Sequence, residues 1–199
     1  MYWTLDQARP AVLRALLASL AVALQSFASA APADETVEIC FNYGCAHREE
    51  VRFEVEILSD VQAHLQQATS AAEERVRIGE AVAKLYVAAA RTTPIWRDRG
   101  GNYPEDPPES GIMDCIDHST NTTRFLDVMR KHNMLRFHEV GERLHRMRFL
   151  AEHWSAQVTE RDSGNAYAVD SWYFDHGRPA AVMPVAEWRR GRDPREVRP

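Results

Sequence analysis

Only three cysteines occur in the 199 residues, and neither Cys-x-x-Cys nor His-Glu-x-x-His is present. The first absence excludes a thioredoxin-like redox pair. The second excludes a zinc-peptidase helix. Cys40 and Cys45 have no second Cys/His pair nearby, so zinc spacing is missing as well. No basic patch with interleaved aromatics exists and the formal net charge is −5, which argues against a nucleic-acid partner. After residue 30 no run is apolar enough to span a bilayer, which takes roughly 20 apolar residues. There is no internal repeat.

What is present starts with a leader. Arg9 and Arg14 give a basic stretch, Ala15 to Leu24 an apolar one, and Ala28-Ser29-Ala30 the small residues of a cleavage site. Residues 1–30 therefore read as a signal peptide, with cleavage after Ala30. No cysteine follows that site, so a lipid-anchored cysteine is not expected. Residues 31–199 are expected to form one domain, periplasmic or secreted. Removing Asp6, Arg9 and Arg14 takes the net charge from −5 to −6. Export permits disulfides. Asn42-Tyr-Gly44 can turn the chain back between Cys40 and Cys45, so these two are expected to pair. Cys115 is then the odd thiol.

Secondary-structure signals give a helical first half and a strand-rich second half. Val37 to Phe41 reads as a short strand. Val51-Arg-Phe53-Glu-Val55-Glu-Ile57 alternates, apolar at odd positions, and reads as another. Ser59-Asp60 has the form of a helix cap ahead of Val61, Leu65 and Ala68. A second helix is expected from about Ser70 to Arg91, with Val76, Ala83, Tyr86, Val87 and Ala90 on its apolar face, Ile78, Val82 and Leu85 nearby on the same broad side, and a Glu73–Arg77 pair outside. Residues 92–110 form a loop late in prolines, and long loops are often functional. A third helix starts at Cys115 and ends near Asn133. Strands follow around Leu135 to Val140, Arg148 to Thr159 and Ala166 to Phe174, the last two a hairpin about the Asp162-Ser-Gly164-Asn165 turn. Val185 to Arg190 reads as a final helical turn, and the basic stretch from Arg189 to Arg198 as a solvated tail. The fold class expected is α+β, a helical N-terminal half with the Cys115 helix packed on an antiparallel sheet.

Cys115 carries the functional reading. Its neighbours Asp114, Asp117, His118 and Ser119 are too polar for an ordinary core cysteine. Asp114 is a good N-cap, which places Cys115 in the first helical turn. A helix start favours thiolate, but the two aspartates oppose it, so an imidazole partner is needed. His153 in Glu152-His153-Trp154 can be that partner, and Asp170 in Val169-Asp170-Ser171 can orient the ring. The expectation is a reactive thiol with a lowered pKa.

In this order and context, Gly111-Ile-Met-Asp-Cys115-Ile-Asp, Glu152-His153-Trp154 and Val169-Asp170-Ser171 resemble the three core motifs of the transglutaminase-like superfamily, which is related to papain-like thiol enzymes. The motifs lie 38 and 17 residues apart, and the resemblance covers roughly residues 96–175. It implies a Cys at a helix start, a His on one strand and an Asp on the next. By that resemblance Cys115 is the nucleophile, His153 the acid and base, and Asp170 the orienting acid. The family often shows His-Ala-Trp and Asp-Pro. Here Trp154 follows His153 directly and Ser171-Trp172 follows Asp170. The superfamily holds amide hydrolases, acyl transferases and inactive members.

The function expected is a thiol enzyme acting on amide bonds of a peptide or protein substrate. The alternative is a non-catalytic peptide- or protein-binding module. Trp96 and Asn102 are candidates to donate to the oxyanion beside the Cys115 N–H. Trp154 and Trp172 read as core or cleft wall. Neither a metal nor a cofactor is expected, although His118, His132, His138 and His145 are numerous. Asp175-His176-Gly177 reads as a turn, and Asn121-Thr-Thr123 matches a glycosylation acceptor.

Overall fold

The computed structural model describes residues 31–102 and 110–196. The expected leader, Pro104, Pro107 and Pro108 lie outside the described residues. The element order opens with a hairpin of β1 (Glu35–Phe41) and β2 (His47–Phe53), followed by helices α1 (Val55–Gln66) and α2 (Ala71–Ala89). A 3-10 turn (Pro94–Arg97) and helix α3 (Cys115–Lys131) come next. The strands are β3 (His138–Val140), β4 (Leu144–Arg148), β5 (Ala151–Glu160), β6 (Ala166–Asp170) and β7 (Ala181–Pro184), and a short helix α4 (Val185–Arg189) follows them. This is a mixed α plus β structure with antiparallel sheets.

The larger sheet runs β3-β5-β6-β7, with β4 also on β5. β5 is long enough to take two partners. Its first half pairs with β4 (His153 opposite Arg146), its last part with β3 (Glu160 opposite His138). Strand alternation then divides the side chains between two faces. Ala156, Val158, Val169 and Val182 join the main core with the helices. Ala168 and Met183 point the other way and pack with Leu144 and Trp188 in a smaller cluster. Asp170, two residues after Ala168, shares that second face. α3 lies against β5 on one side and β1 on another, so its first residue meets the sheet near β5.

Several expectations need correction. The strand alternation stops at Phe53, and Val55 and Ile57 belong to α1. Leu58, Val61 and Leu65 are fully buried at helical spacing, while Asp34 Oδ1 accepts the Val55 N–H at 2.7 Å and ties down the helix start. Ser59 is therefore inside the helix and caps nothing. Ser70 does cap α2, accepting from the Glu73 N–H. Val76 and Val87 are 46% and 49% exposed, so they lie off the buried face, which holds Ile78, Val82, Ala83, Leu85 and Tyr86 as expected. Glu73 bonds Thr69 and Arg77 bonds Gln67, so Arg77 acts on Glu73 through its charge and not through a hydrogen bond. The strand expected from Arg148 onward is two strands, because the chain turns at Phe149 and Leu150. The β5–β6 hairpin, the Asn133 left-handed helix stop (φ 53) and the Cys40–Cys45 disulfide are all present.

Candidate active site

The start of α3 is built by its acids. Asp114 Oδ1 accepts the N–H groups of Ile116 (2.9 Å) and Asp117 (3.0 Å), and Asp117 Oδ2 accepts the Asp114 N–H (3.2 Å). This reciprocal capping box satisfies N–H groups that a helix start otherwise leaves unpaired. It makes Cys115 the first helical residue, half-buried and not in a disulfide. The lead-in is held by Gly111, whose φ is +96° and whose place a larger residue could not take. A Cβ there would lie 2.1 Å from the Pro94 carbonyl oxygen.

Cys115 and His153 line the same cleft, about 810 Å³ in volume. The Trp154 main-chain N–H, one residue beyond His153, favours the thiolate form of Cys115. His153 Nε2 is 2.7 Å from Asp170 Oδ2, which leaves Nδ1 as the ring nitrogen available to the thiol. Asp170 is buried, a costly place for a carboxylate unless it is well bonded. The same Oδ2 accepts the Trp188 indole N–H at 2.7 Å, and Oδ1 accepts the Trp172 N–H at 3.2 Å. Burial pushes the Asp170 pKa up. His153 and the two N–H donors outweigh it and hold the carboxyl below its usual range. The structure thus brings Cys115, His153 and Asp170 around one site.

The thiol itself departs from the expected lowered pKa. Burial raises the Cys115 pKa to about 11, and the negative charges of Asp114 and Asp170 add to the rise. The N–H groups of Trp154 and of Cys115 itself favour thiolate but do not compensate. Desolvation wins over the helix end, so the resting species is the neutral thiol.

Beside this site lies a buried set that sequence reasoning missed. His118, one turn after Cys115, has Nδ1 2.8 Å from Ser171 Oγ, and Ser171 also meets Thr122 Oγ1 (3.0 Å) and Tyr86 Oη (3.2 Å). His118 Nε2 lies 3.0 Å from Asp98 Oδ2, off the N–H axis. Burial disfavours charge on His118, but Asp98, Asp170 and Asp117 outweigh it and raise its pKa. Asp98 Oδ1 accepts from the Met113 N–H and the Asn102 amide. This set joins the loop after α2, the Cys115 helix and the end of β6. Its only signal in the sequence was a polar helix face, Asp117-His118-Ser119, with no indication of distant partners. Trp188, which ties α4 to Asp170, carried no signal at all.

The remaining candidates are placed as follows. Trp96 is 59% exposed, has Arg97 over its ring and does not line the cleft, so the oxyanion role is wrong for it. Asn102 lines the cleft, but its amide is engaged by Asp98. Trp154 and Trp172 form cleft wall. His132 pairs with Glu35, His138 with Glu74 and His145 with Glu152, on separate parts of the chain. Asn121 is fully buried, bonding both the N–H and C=O of Cys40, so it cannot accept a glycan in this fold. Asp175-His176-Gly177 is a turn, with Gly177 at φ 76. Among the described residues the one His/Cys/Asp/Glu grouping close enough for a metal is Cys40, Cys45 and Asp117, and its two sulfurs are bonded to each other.

Comparison with known proteins finds no matching family model, no matching curated protein and no matching solved structure.

Proposed function

We propose that the protein is a thiol acyltransferase or amide hydrolase with a transglutaminase-like core, using Cys115, His153 and Asp170 on a peptide or protein substrate. The single observation that carries this reading is that Cys115, at a helix start, and His153, on β5, line one cleft while a buried acid holds the other ring nitrogen of His153. An acid buried against an imidazole fixes its tautomer and orientation, which is what a general base requires.

The chemistry follows from a neutral thiol. His153 Nδ1 takes the proton from Cys115 Sγ as sulfur attacks the carbonyl carbon. The electron pair of the C=O bond moves to the carbonyl oxygen, and the Cys115 N–H donates to the oxyanion that forms there. The C–N bond breaks, the imidazolium returns its proton to the departing amine, and a thioester remains on Cys115. Water or an amine then attacks the thioester, giving its proton to His153; the C–S bond breaks, the imidazolium returns that proton to sulfur, and the thiol is regenerated. Asp170 stays ionised throughout and steadies the imidazolium. No cofactor is needed for this sequence.

The cleft also favours a substrate with a bulky apolar group. Its lip at the β4–β5 turn carries Phe149 and Leu150, 95% and 98% exposed, and Ile116 and Trp154 line the same cleft. Phe149 sits at φ 55, a conformation unfavourable for a bulky residue. An exposed aromatic in a strained turn at the mouth of a cleft supports a contact role. The disulfide suits the oxidising compartment to which an exported protein goes.

The test is intact-mass measurement after incubation with a p-nitrophenyl ester of an N-acylated phenylalanine. A single acyl adduct on Cys115, absent in Cys115→Ala, is the expected result. Binding of apolar peptides with no adduct at any pH would favour the non-catalytic binding module instead.

A further inference from the structure

The acids that flank Cys115 are held by more than their own helix. β1 and β2 are joined by a turn in which four consecutive residues are left-handed: Asn42 (φ 65), Tyr43 (φ 59), Gly44 (φ 58) and Cys45 (φ 58). Glycine adopts this conformation freely and asparagine tolerates it, but Tyr43 and Cys45 do so unfavourably. A run of four left-handed residues needs an outside constraint, and the Cys40–Cys45 disulfide closes the turn across it.

The closed turn presents its amides to the start of α3. The Gly44 N–H donates to Asp114 Oδ2 at 3.0 Å and the Cys45 N–H to Asp117 Oδ1 at 2.6 Å. Around these, the Asn42 N–H donates to the Ile112 carbonyl (2.8 Å) and Asn42 Oδ1 accepts the Gly111 N–H (2.7 Å). Asn121 on α3 bonds both main-chain groups of Cys40 at 2.8 Å. The turn therefore grips both sides of Cys115: the lead-in from Gly111 and the first turn of the helix. Each flanking carboxylate divides its two oxygens between the turn and the capping box.

We propose that the disulfide-closed turn is a positioning element for Cys115, in which the Gly44 and Cys45 amides hold Asp114 and Asp117 and so fix the start of α3. The proposal rests on Cys115 being the nucleophile. The disulfide is then needed for activity as well as for stability, and a reducing environment switches the site off. Asp117 reports on the clamp. Burial and the Asp114 charge push its pKa up to about 6, against the pull of the Cys45 and Asp114 N–H groups. The titratable groups acting on it are Asp114 and His118 on its own element and Tyr86 on α2.

The experiment is an NMR titration of the Asp117 carboxyl carbon, together with the rate at which the p-nitrophenyl ester acylates Cys115. Both are measured on the oxidised protein and on C40A/C45A, which keeps Cys115 as its single thiol. Loss of the clamp is expected to move the Asp117 midpoint up by about one pH unit, a tenfold change in proton affinity. Acylation is expected to fall about tenfold or more, because small misplacements of a reacting group are costly. An unmoved midpoint overturns the proposal. A moved midpoint with unchanged acylation overturns the positioning role while leaving the nucleophile intact. An oxidised protein that is not acylated at all sinks the nucleophile reading, and with it this proposal. If C40A/C45A does not fold, reversible phosphine reduction of the parent protein supplies the same comparison.

Discussion

Trp188→Phe isolates one hydrogen bond to the buried acid. The indole N–H of Trp188 is one of three donors to Asp170, the others being His153 and the Trp172 amide. Phenylalanine keeps most of the ring in the cluster of Leu144, Ala168 and Met183 but cannot donate. A hydrogen bond to a charged group contributes about 1.5–3 kcal/mol. Since one pKa unit corresponds to roughly 1.36 kcal/mol, the Asp170 carboxyl should rise by about one to two units. The smaller ring adds a packing loss of about 1 kcal/mol that does not depend on pH. Asp170 lies below its ordinary value of 3.8 in the folded protein. Its stabilisation is therefore present above the unfolded value and lost as pH falls through the folded one. The variant should thus be about 3 kcal/mol less stable at pH 7, with the deficit narrowing to about 1 kcal/mol at acid pH. Urea unfolding followed by far-ultraviolet circular dichroism, from pH 7 down through the folded Asp170 midpoint, measures this directly. A deficit of the same size at every pH would refute the argument, since it would mean that only packing was lost.

Two further outcomes follow from the cleft. With the Cys115 pKa raised to about 11 from an ordinary 9.0, iodoacetamide alkylation should keep rising about tenfold per pH unit through pH 9 to 10, and a plateau below pH 9 would contradict the burial argument. Replacing Phe149 and Leu150 together by Ala should leave the melting temperature nearly unchanged, because both are exposed, yet weaken capture of a phenylalanine ester about tenfold in KM. Equal KM values would remove the lip from the substrate site.

The parts of this site that were legible in the sequence were those fixed by local chemistry. Asp114 signals a cap through its residue type and its spacing before an apolar-periodic run, so the position of Cys115 followed. The Asp162-Ser-Gly164-Asn165 turn specified the β5–β6 hairpin, which carries His153 and Asp170. Cys40 and Cys45 were separated by a segment that could turn. What was missed depends on tertiary partners. Nothing near Trp188 reveals an acid 18 residues earlier. Asp98, His118 and Ser171 come from three elements, and each reads locally as an ordinary polar residue. The α1 boundary was misplaced because apolar residues at 51, 53, 55 and 57 fit a strand, while the decisive cap is Asp34, far back in the chain. The thiol pKa was misjudged because a helix start is visible in sequence and burial is not.

The central claim is that His153 is the base for a neutral Cys115 thiol. The most direct measurement is the single-turnover rate of Cys115 acylation by the phenylalanine p-nitrophenyl ester at pH 7, in the parent and in His153→Ala, by intact mass. Asp170 keeps the Trp188 and Trp172 donors in that variant, so the fold should persist, as circular dichroism would verify. General-base assistance contributes about 10²–10⁴-fold, so acylation should fall by about a hundredfold or more while alkylation at high pH remains. Equal acylation rates in the two folded proteins would contradict the account.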